Sequence, residues 1–189
     1  MPKPKKILIV TSSPRPRGNS TLLAAEAARG AGEAGAEVQI VSLAKLSLGP
    51  CLACDGCRKP GAKGCVQKDD FETLRDDLKA ADALLIASPV YWFTMSGQAK
   101  LFMDRLYVFG AKGYRELKGK RIGIILTSGD ADPRSSGAVN AMSAFKDAFA
   151  YLGAPIIGML HGAGGKSGAV LKNKALLKKA YAMGRALVT

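Results

Sequence analysis

Residues 6–21 of the chain are Lys6-Ile-Leu-Ile-Val-Thr-Ser-Ser-Pro-Arg-Pro-Arg-Gly-Asn-Ser-Thr21. The apolar run at the start is typical of a buried strand, and the Ala-rich stretch that follows Asn19 has the spacing of a helix. The amide groups and the dipole at the start of such a helix favour an anion, and Arg15 and Arg17 add positive charge. We therefore predict a phosphate site between this strand and this helix.

The same alternation of strand and helix continues to the end of the chain. We predict further strands over residues 36–43, 83–88, 121–128 and 155–160, and helices over residues 19–35, 69–80, 96–107, 135–152 and 169–187. Strands that are apolar on both faces belong to a parallel sheet covered by helices. We predict one α/β domain over residues 1–189, a doubly wound three-layer αβα sandwich with five parallel strands in the order 2-1-3-4-5.

The composition limits the partners of the protein. Its 28 Lys and Arg residues against 15 Asp and Glu give a net charge of +13, which attracts anionic ligands. No motif that reads DNA or RNA accompanies this charge, so nucleic acid is disfavoured. No apolar run reaches the roughly 18 residues of a membrane span, and the run after the charged residues 1–6 is too short for a signal peptide. We expect a cytoplasmic protein without a membrane segment.

The third predicted strand ends in a second distinctive stretch, Ser88-Pro-Val-Tyr-Trp-Phe-Thr-Met-Ser-Gly97, which contains the single tryptophan. In the predicted strand order, the ends of strands 1 and 3 border the crevice where ligands bind to such sheets. The aromatic run alone suits a platform for a planar ligand, a hydrophobic plug or a dimer contact. The phosphate loop on the neighbouring strand favours the ligand.

Two features late in the chain are interpreted as structural and not as catalytic or ligand-binding. Gly165-Lys166-Ser167 resembles the end of a Walker loop, but its required first glycine would fall at Leu160, so we predict a Gly-rich loop that caps the last helix. The only histidine, His161, follows the fifth strand and is expected to lie away from the crevice.

Four cysteines with the spacing Cys51-x2-Cys54-x2-Cys57-x7-Cys65 occupy a long irregular segment, residues 44–68. The first three gaps are similar to those of a ferredoxin run, in which thiolates from one tight loop hold an iron–sulfur cluster. Four thiolates also suit zinc, and C-x-x-C pairs are often redox-active. The spacing therefore leaves open a [4Fe–4S] cluster, a zinc ion, a redox disulfide and free thiols.

The two stretches together, Ser-Ser-Pro-Arg-x-x-Gly-Asn-Ser-Thr-Leu-Leu from Ser12 and Ser-Pro-Val-Tyr-Trp-Phe-Thr-Met-Ser-Gly-Gln-Ala-Lys-Leu-Phe-Met-Asp-Arg from Ser88, resemble the NADPH-dependent FMN reductase family. With the cysteines, the chain is similar to the iron–sulfur flavoprotein branch of that family. The resemblance covers nearly the whole chain and implies a flavodoxin-like fold. Ser12 stands where the family usually has glycine.

The resemblance implies FMN as cofactor, NAD(P)H as electron donor, a cluster on the four cysteines and a dimer or tetramer. The acceptor is left open among flavin, quinone, ferredoxin, a metal ion and oxygen. A flavodoxin-like electron carrier without NAD(P)H turnover and a zinc-stabilised interaction module are the alternatives.

The resemblance also implies four groups of site residues. These are, for the phosphate, Ser13, Arg15, Asn19, Ser20 and Thr21; for the flavin ring, Pro89, Val90, Tyr91, Trp92 and Phe93; for a third wall, Ser128 and Gly129; and for the cluster, Cys51, Cys54, Cys57 and Cys65.

Overall fold

A computed structural model describes residues 3–189. Residues 1 and 2, where the predicted domain and the charged stretch 1–6 begin, lie outside the described residues. Five parallel strands form the central sheet: β1 Lys6–Thr11, β2 Glu37–Ser42, β3 Ala83–Tyr91, β5 Arg121–Ser128 and β6 Ile156–Ala163. Their order, β2-β1-β3-β5-β6, confirms the predicted order of five parallel strands.

A sixth strand, β4 Thr94–Met95, is the main difference from the predicted sheet. It pairs antiparallel with the end of β3, Val90 opposite Met95 and Tyr91 opposite Thr94. The predicted third strand is therefore too short, since β3 continues into this hairpin. Two paired residues leave no periodicity from which a strand can be predicted.

Five helices cover the two faces of the sheet: α1 Asn19–Glu33, α2 Phe71–Ala80, α3 Gly97–Arg105, α4 Ala138–Tyr151 and α5 Lys174–Val188. The predicted fourth helix starts too early, because Gly137 adopts a left-handed φ of 76° immediately before α4. The predicted last helix also starts too early, because residues 169–172 form a separate 3-10 turn and Asn173 caps α5. None of the described helices combines the length and the hydropathy that crossing a bilayer requires.

Alternate side chains of each central strand enter different cores. Leu8 and Val10 of β1 pack with residues of α2, α3 and α4, whereas Ile7 and Ile9 pack with residues of α1 and α5. This two-sided burial explains why the strands are apolar throughout, since successive strand residues point to opposite faces. It confirms the three-layer αβα sandwich.

Helices α1 and α5 approach each other closely through two glycines. A Cβ atom at Gly30 would collide with the carbonyl oxygen of Tyr181, and one at Gly184 would collide with that of Ala27. The backbones of the two helices therefore touch, and a side chain at either position would separate them.

The cysteine-bearing segment is anchored by a buried ion pair. Arg105, whose side chain is 1% exposed, donates to both carboxylate oxygens of Asp69 at 2.6 and 2.9 Å. The backbone of Gly49 joins the pair, since its N–H donates to Asp69 at 3.1 Å and its carbonyl accepts from Arg105 at 2.9 Å. The hydrogen bonds from Arg105 lower the pKa of Asp69 below its usual value. The start of the cysteine segment is thus fixed to the end of α3.

We expect Gly184→Ala to reduce the free energy of unfolding by about 1–3 kcal/mol, because the added methyl overpacks the contact between α1 and α5. Gly32→Ala is the matched control in α1: its Cβ would meet no atom within 4 Å. This change should leave stability equal or raise it by up to about 1 kcal/mol, since alanine is the better helix former. Urea denaturation of both variants measures the difference, and equal midpoints would contradict the close approach.

We expect Asp69→Asn to reduce the free energy of unfolding at pH 7 by about 3–5 kcal/mol, because it leaves the buried Arg105 charge unpaired. The folded pKa of Asp69 is lowered, so its contribution is complete above the unfolded pKa of about 4 and is lost as the pH falls through the folded pKa. The difference between parent and variant should therefore shrink in urea titrations repeated well below about pH 4. The exposed Asp147→Asn is the control, and a difference that does not depend on pH would refute this account.

Candidate functional site

A cleft opens at the carboxyl ends of the parallel strands. It brings together residues from four separate segments: Ser13, Arg15, Gly18, Asn19, Ser20, Pro89, Val90, Tyr91, Thr127, Ser128, Gly129, Gly164, Gly165 and Ser167. A second cleft adjoins it, shares Val90, Tyr91, Ser128 and Gly129, and adds the side chains of Trp92 and Phe93. Of the predicted residues for phosphate, ring and third wall, all line one of the two clefts except Thr21.

The start of α1 has the features of an anion site. Gly18 occupies the N-cap position and no side chain caps the helix, so the first amide groups have no partner within the helix. The hydroxyl oxygens of Ser20 and Thr21 are buried and find no hydrogen-bond partner among the described residues. Because buried hydroxyls are nearly always paired, this donor set fits a bound phosphate.

The loop before α1 has a fixed shape. The Arg15 N–H donates to Ser13 Oγ at 3.2 Å, which closes a tight turn after β1. A Cβ at Gly18 would collide with that same Ser13 oxygen. Only glycine therefore lets the chain fold back against Ser13 before it enters the helix.

Asn19 has a different environment from the one that the resemblance implies. Its side-chain Nδ2 donates to the carbonyls of Gly164 and Lys166, at 2.7 and 3.0 Å, and its Oδ1 accepts from the Val170 N–H at 3.4 Å. The side-chain amide is thus committed to the loop after β6. The amide protons are used by the protein itself, in contrast to the free hydroxyls of Ser20 and Thr21.

Three buried serines join the ends of β1 and β3. Ser96 Oγ donates to Ser12 Oγ at 2.8 Å, and the Ser96 N–H donates to Ser88 Oγ at 3.0 Å. All three residues are fully buried. Ser12, which stands where glycine is usual in the family, therefore uses its hydroxyl to connect the two sides of the cleft.

The aromatic run forms a strained two-residue turn between β3 and β4. Trp92 and Phe93 both have left-handed φ values, 46° and 63°, as a type I′ hairpin turn requires. Residues other than glycine rarely adopt this backbone conformation, which costs about 1–3 kcal/mol per residue. Such strain is typical of functional sites. Helix α4 supports the turn, since Asn140 Nδ2 donates to the Phe93 carbonyl at 3.0 Å and a Cβ at Gly137 would collide with Phe93.

The only histidine, His161, lines neither cleft but contacts the third wall through Ser128. His161 Nε2 is 2.6 Å from Ser128 Oγ, and Ser128 Oγ donates its proton to the Asp130 carbonyl at 2.7 Å. With that one proton used, the histidine nitrogen is the donor in their contact. Burial lowers the pKa of His161, which favours the neutral ring at pH 7. No sequence pattern indicates this contact, because the two residues are 33 positions apart and meet only when β5 and β6 pair.

Five residues of the first cleft were not among the predicted site residues: Gly18, Thr127, Gly164, Gly165 and Ser167. Gly18 was part of the predicted phosphate loop. Thr127 was part of a predicted strand. The remaining three belong to the Gly-rich motif that was interpreted only as a helix cap. The Gly-rich motif was the one visible indication of this loop. Its place at the cleft depends on the pairing of β6 with β5, which the motif does not reveal.

The four cysteines lie on one loop, and they are not arranged as ligands of a single metal ion in the described residues. Cys54 is exposed and the other three cysteines are half-buried. Burial raises the pKa of Cys57, and the thiols of Cys65, Cys51 and Cys54 raise it further. Over residues 3–189, however, no three Cys, His, Asp or Glu side chains are placed to hold one metal ion.

Tyr107 fixes the middle of the cysteine segment. Its hydroxyl donates to Asp55 Oδ1 and accepts from Arg58 Nη1, each at 2.8 Å. Ala53 and Asp55 have left-handed φ values of 49° and 52°, so the chain winds tightly between Cys54 and Cys57. The segment is therefore an ordered loop against the 3-10 turn that follows α3.

Comparison with known proteins finds one matching family model and several similar proteins. The model of the NADPH-dependent FMN reductase family matches residues 5–168. An iron–sulfur flavoprotein of Methanocaldococcus jannaschii is 40% identical over 100 residues, 53% of this chain and 51% of the relative. One of Methanosarcina thermophila is 29% identical over 153 residues, 81% of this chain and 77% of the relative. In the first three curated relatives, the matched stretch spans only about half of the relative's length, 51%, 57% and 53%.

A solved structure of similar fold is the NAD(P)H:quinone oxidoreductase from Methanothermobacter marburgensis. It superimposes with a TM-score of 0.80 at 18% identity and covers 99% of this chain and 98% of its own. At this identity the likeness shows the flavodoxin-like fold alone. Since the family model matches most of the chain and the curated relatives carry the same branch name, the chain belongs to the NADPH-dependent FMN reductase family, in its iron–sulfur flavoprotein branch.

Proposed function

We propose that this protein is an FMN-dependent oxidoreductase that takes electrons from NAD(P)H and passes them to an acceptor. The observation that carries the proposal is the pairing of two features in one crevice. The unpartnered hydroxyls of Ser20 and Thr21 lie at the uncapped start of α1, and the aromatic turn at Trp92 and Phe93 borders the adjoining cleft. A phosphate at one end and a planar ring at the other are the two parts of FMN.

The residues present divide the work of binding. Ser20 and the first amides of α1 would donate to the phosphate, while Arg15 adds charge at the mouth of the cleft. Thr21 follows Ser20 directly and lies outside the cleft lining. Pro89, Val90 and Tyr91 form the wall that leads from the phosphate end to the ring end. When bound, FMN supplies hydride acceptance from the nicotinamide and transfer of one or two electrons.

The ring end is built to orient a flat group and leave one face accessible. Trp92 is 92% exposed, so it offers an aromatic surface to solvent rather than to the core. The opposite wall of the second cleft consists of Ser128, Gly129, Asp130, Ser135 and Ser136. The hydrogen bond between His161 and Ser128 holds the start of this wall. A nicotinamide would enter from the open side, between the aromatic turn and this polar wall.

We further propose that Cys51, Cys54, Cys57 and Cys65 hold a [4Fe–4S] cluster. The donor set fits, since four thiolates from one tight loop are the ligands of such clusters. The loop that carries them winds tightly at Ala53 and Asp55, whose φ values are left-handed. The relatives named iron–sulfur flavoprotein support the same choice.

The assembly and location are proposed with the same function. The aromatic turn and Tyr151 expose apolar surface, and we propose a homodimer or a larger homo-oligomer that covers part of it. The four cysteines are free, which suits a reducing compartment such as the cytoplasm. The net charge of +13 favours an acidic or otherwise anionic electron acceptor.

We expect protein purified without oxygen to show flavin absorption, a broad cluster shoulder and about four irons per chain. Added NAD(P)H should bleach the flavin bands. Cys57→Ser should lose the iron and the shoulder but retain FMN, because the cysteine loop lies outside the two clefts.

Each other outcome has a distinct meaning. Flavin without iron would refute the cluster and leave a plain FMN reductase. Flavin that NAD(P)H does not bleach would indicate an electron carrier. A colourless protein that does not take up FMN would reject the proposed function as a whole.

We expect Ser20→Ala to weaken FMN binding by tenfold or more, since a hydrogen bond to a charged group contributes about 1.5–3 kcal/mol. The free energy of unfolding of the apoprotein should not fall, because the Ser20 hydroxyl has no partner that would be lost. Flavin fluorescence titration and urea denaturation measure the two effects. The exposed Ser143→Ala on α4 is the control. A destabilised apoprotein with unchanged FMN affinity would show that Ser20 has a structural role instead.

A further inference from the structure

A Gly-rich loop lies across the phosphate end of the cleft from α1. This strap, residues 164–168, follows β6 and has the sequence Gly-Gly-Lys-Ser-Gly. Gly164, Gly165 and Ser167 line the same cleft as Ser13 and Ser20. The strap and the start of α1 therefore border one space from two sides.

The strap is fastened at both ends. Asn19 Nδ2 binds the carbonyls of Gly164 and Lys166, and the Ser167 hydroxyl donates to the carbonyl of Arg17. On the other side, the Gly164 N–H donates to the Ser128 carbonyl at 2.8 Å. The strap thus connects the phosphate loop after β1 with the wall after β5.

Close packing around Gly164 permits only glycine at this position of the strap. A Cβ at Gly164 would lie 2.6 Å from Asn19 Nδ2 and 3.1 Å from the Ala169 Cβ. Asn19 is only 8% exposed, so its amide has little freedom to move aside. Glycine at position 164 is therefore a condition for the contact between Asn19 and the strap.

The strap also contains backbone N–H groups that are free to donate hydrogen bonds. Among the described residues, the backbone N–H groups of Gly165, Lys166 and Ser167 have no hydrogen-bond acceptor. Gly165 and Ser167 line the cleft, so their free amides border the space that an anion at the start of α1 would occupy. The unpartnered and fully buried Ser20 hydroxyl lines the same space and independently indicates a missing acceptor.

We propose that the strap is a second phosphate-binding element, which closes over the 5′-phosphate of FMN and is held closed by Asn19 and Ser167. Asn19 is then a positioning residue for the strap, not a ligand of the phosphate. Because the strap contacts the phosphate alone, it selects phosphorylated flavin over riboflavin. The inference rests on the proposed function, since it requires that FMN binds in this cleft.

Hydrogen exchange of the wild-type protein tests the contact directly. FMN, and inorganic phosphate by itself, should slow exchange of the amides in residues 165–167, whereas riboflavin should leave them unchanged. Protection of the start of α1 without protection of the strap would overturn the inference while leaving the proposed function intact. Failure of FMN to bind at all would instead reject the proposed function.

Two variants test the selection. Ser167→Ala removes one fastening, the neutral hydrogen bond to the Arg17 carbonyl. The loosened strap should lose about one amide contact with the charged phosphate, so FMN binding should weaken about tenfold while riboflavin binding changes less than about twofold. Gly164→Ala should show the same pattern through displacement of Asn19, and thermal unfolding verifies that it remains folded. Ser143→Ala, exposed on α4, is the control for both.

The ratio of the two affinities decides the result. A fall in the preference for FMN over riboflavin in both variants supports the strap. Equal weakening of both flavins would show that the loop supports the ring or the fold and would overturn the inference. Unchanged affinity for both flavins in Ser167→Ala would overturn it as well.

Discussion

Buried serine hydroxyls at the ends of β1 and β3 set the separation of the two sides of the cleft. Ser12, Ser88 and Ser96 have no contact with solvent, and a buried hydroxyl left without a partner costs about 1–3 kcal/mol. Their mutual hydrogen bonds therefore hold the phosphate loop and the aromatic turn at one distance. The loop that leads to α1 and the hairpin after β3 are both positioned from this junction.

The two ends of the crevice differ in their structure: one has unpartnered polar groups, and the other has a strained aromatic turn supported by α4. At the phosphate end, polar groups are left without partners, as the hydroxyls of Ser20 and Thr21 show. A ligand that pairs them would stabilise the folded protein. At the ring end, strain at Trp92 and Phe93 is held by contacts from α4. The molecule thus keeps donors free at one end and an aromatic surface fixed at the other.

Helix α3 connects the crevice to the cysteine loop. Its cap, Ser96, belongs to the serine junction, and its last residue, Arg105, binds Asp69 and Gly49 at the start of the cysteine segment. Nine helical residues span about 13 Å. A short rigid element therefore holds the proposed flavin and cluster sites at a fixed separation, and the buried charge of Arg105 makes that link dependent on Asp69.

Local sequence was sufficient for the central strands and for the positions of the loop after β1 and the aromatic run, because each depends on periodicity or on neighbouring residues. The strand order followed from the crossover rule for doubly wound sheets, not from a local pattern. Local sequence did not reveal the attachment of Asn19 to the loop after β6, the contact of His161 with Ser128, or the support of Phe93 by Gly137. Those contacts join residues 145, 33 and 44 positions apart. They exist only once the crossovers bring β1, β5 and β6 to the same edge of the sheet, so no pattern along the chain could have shown them.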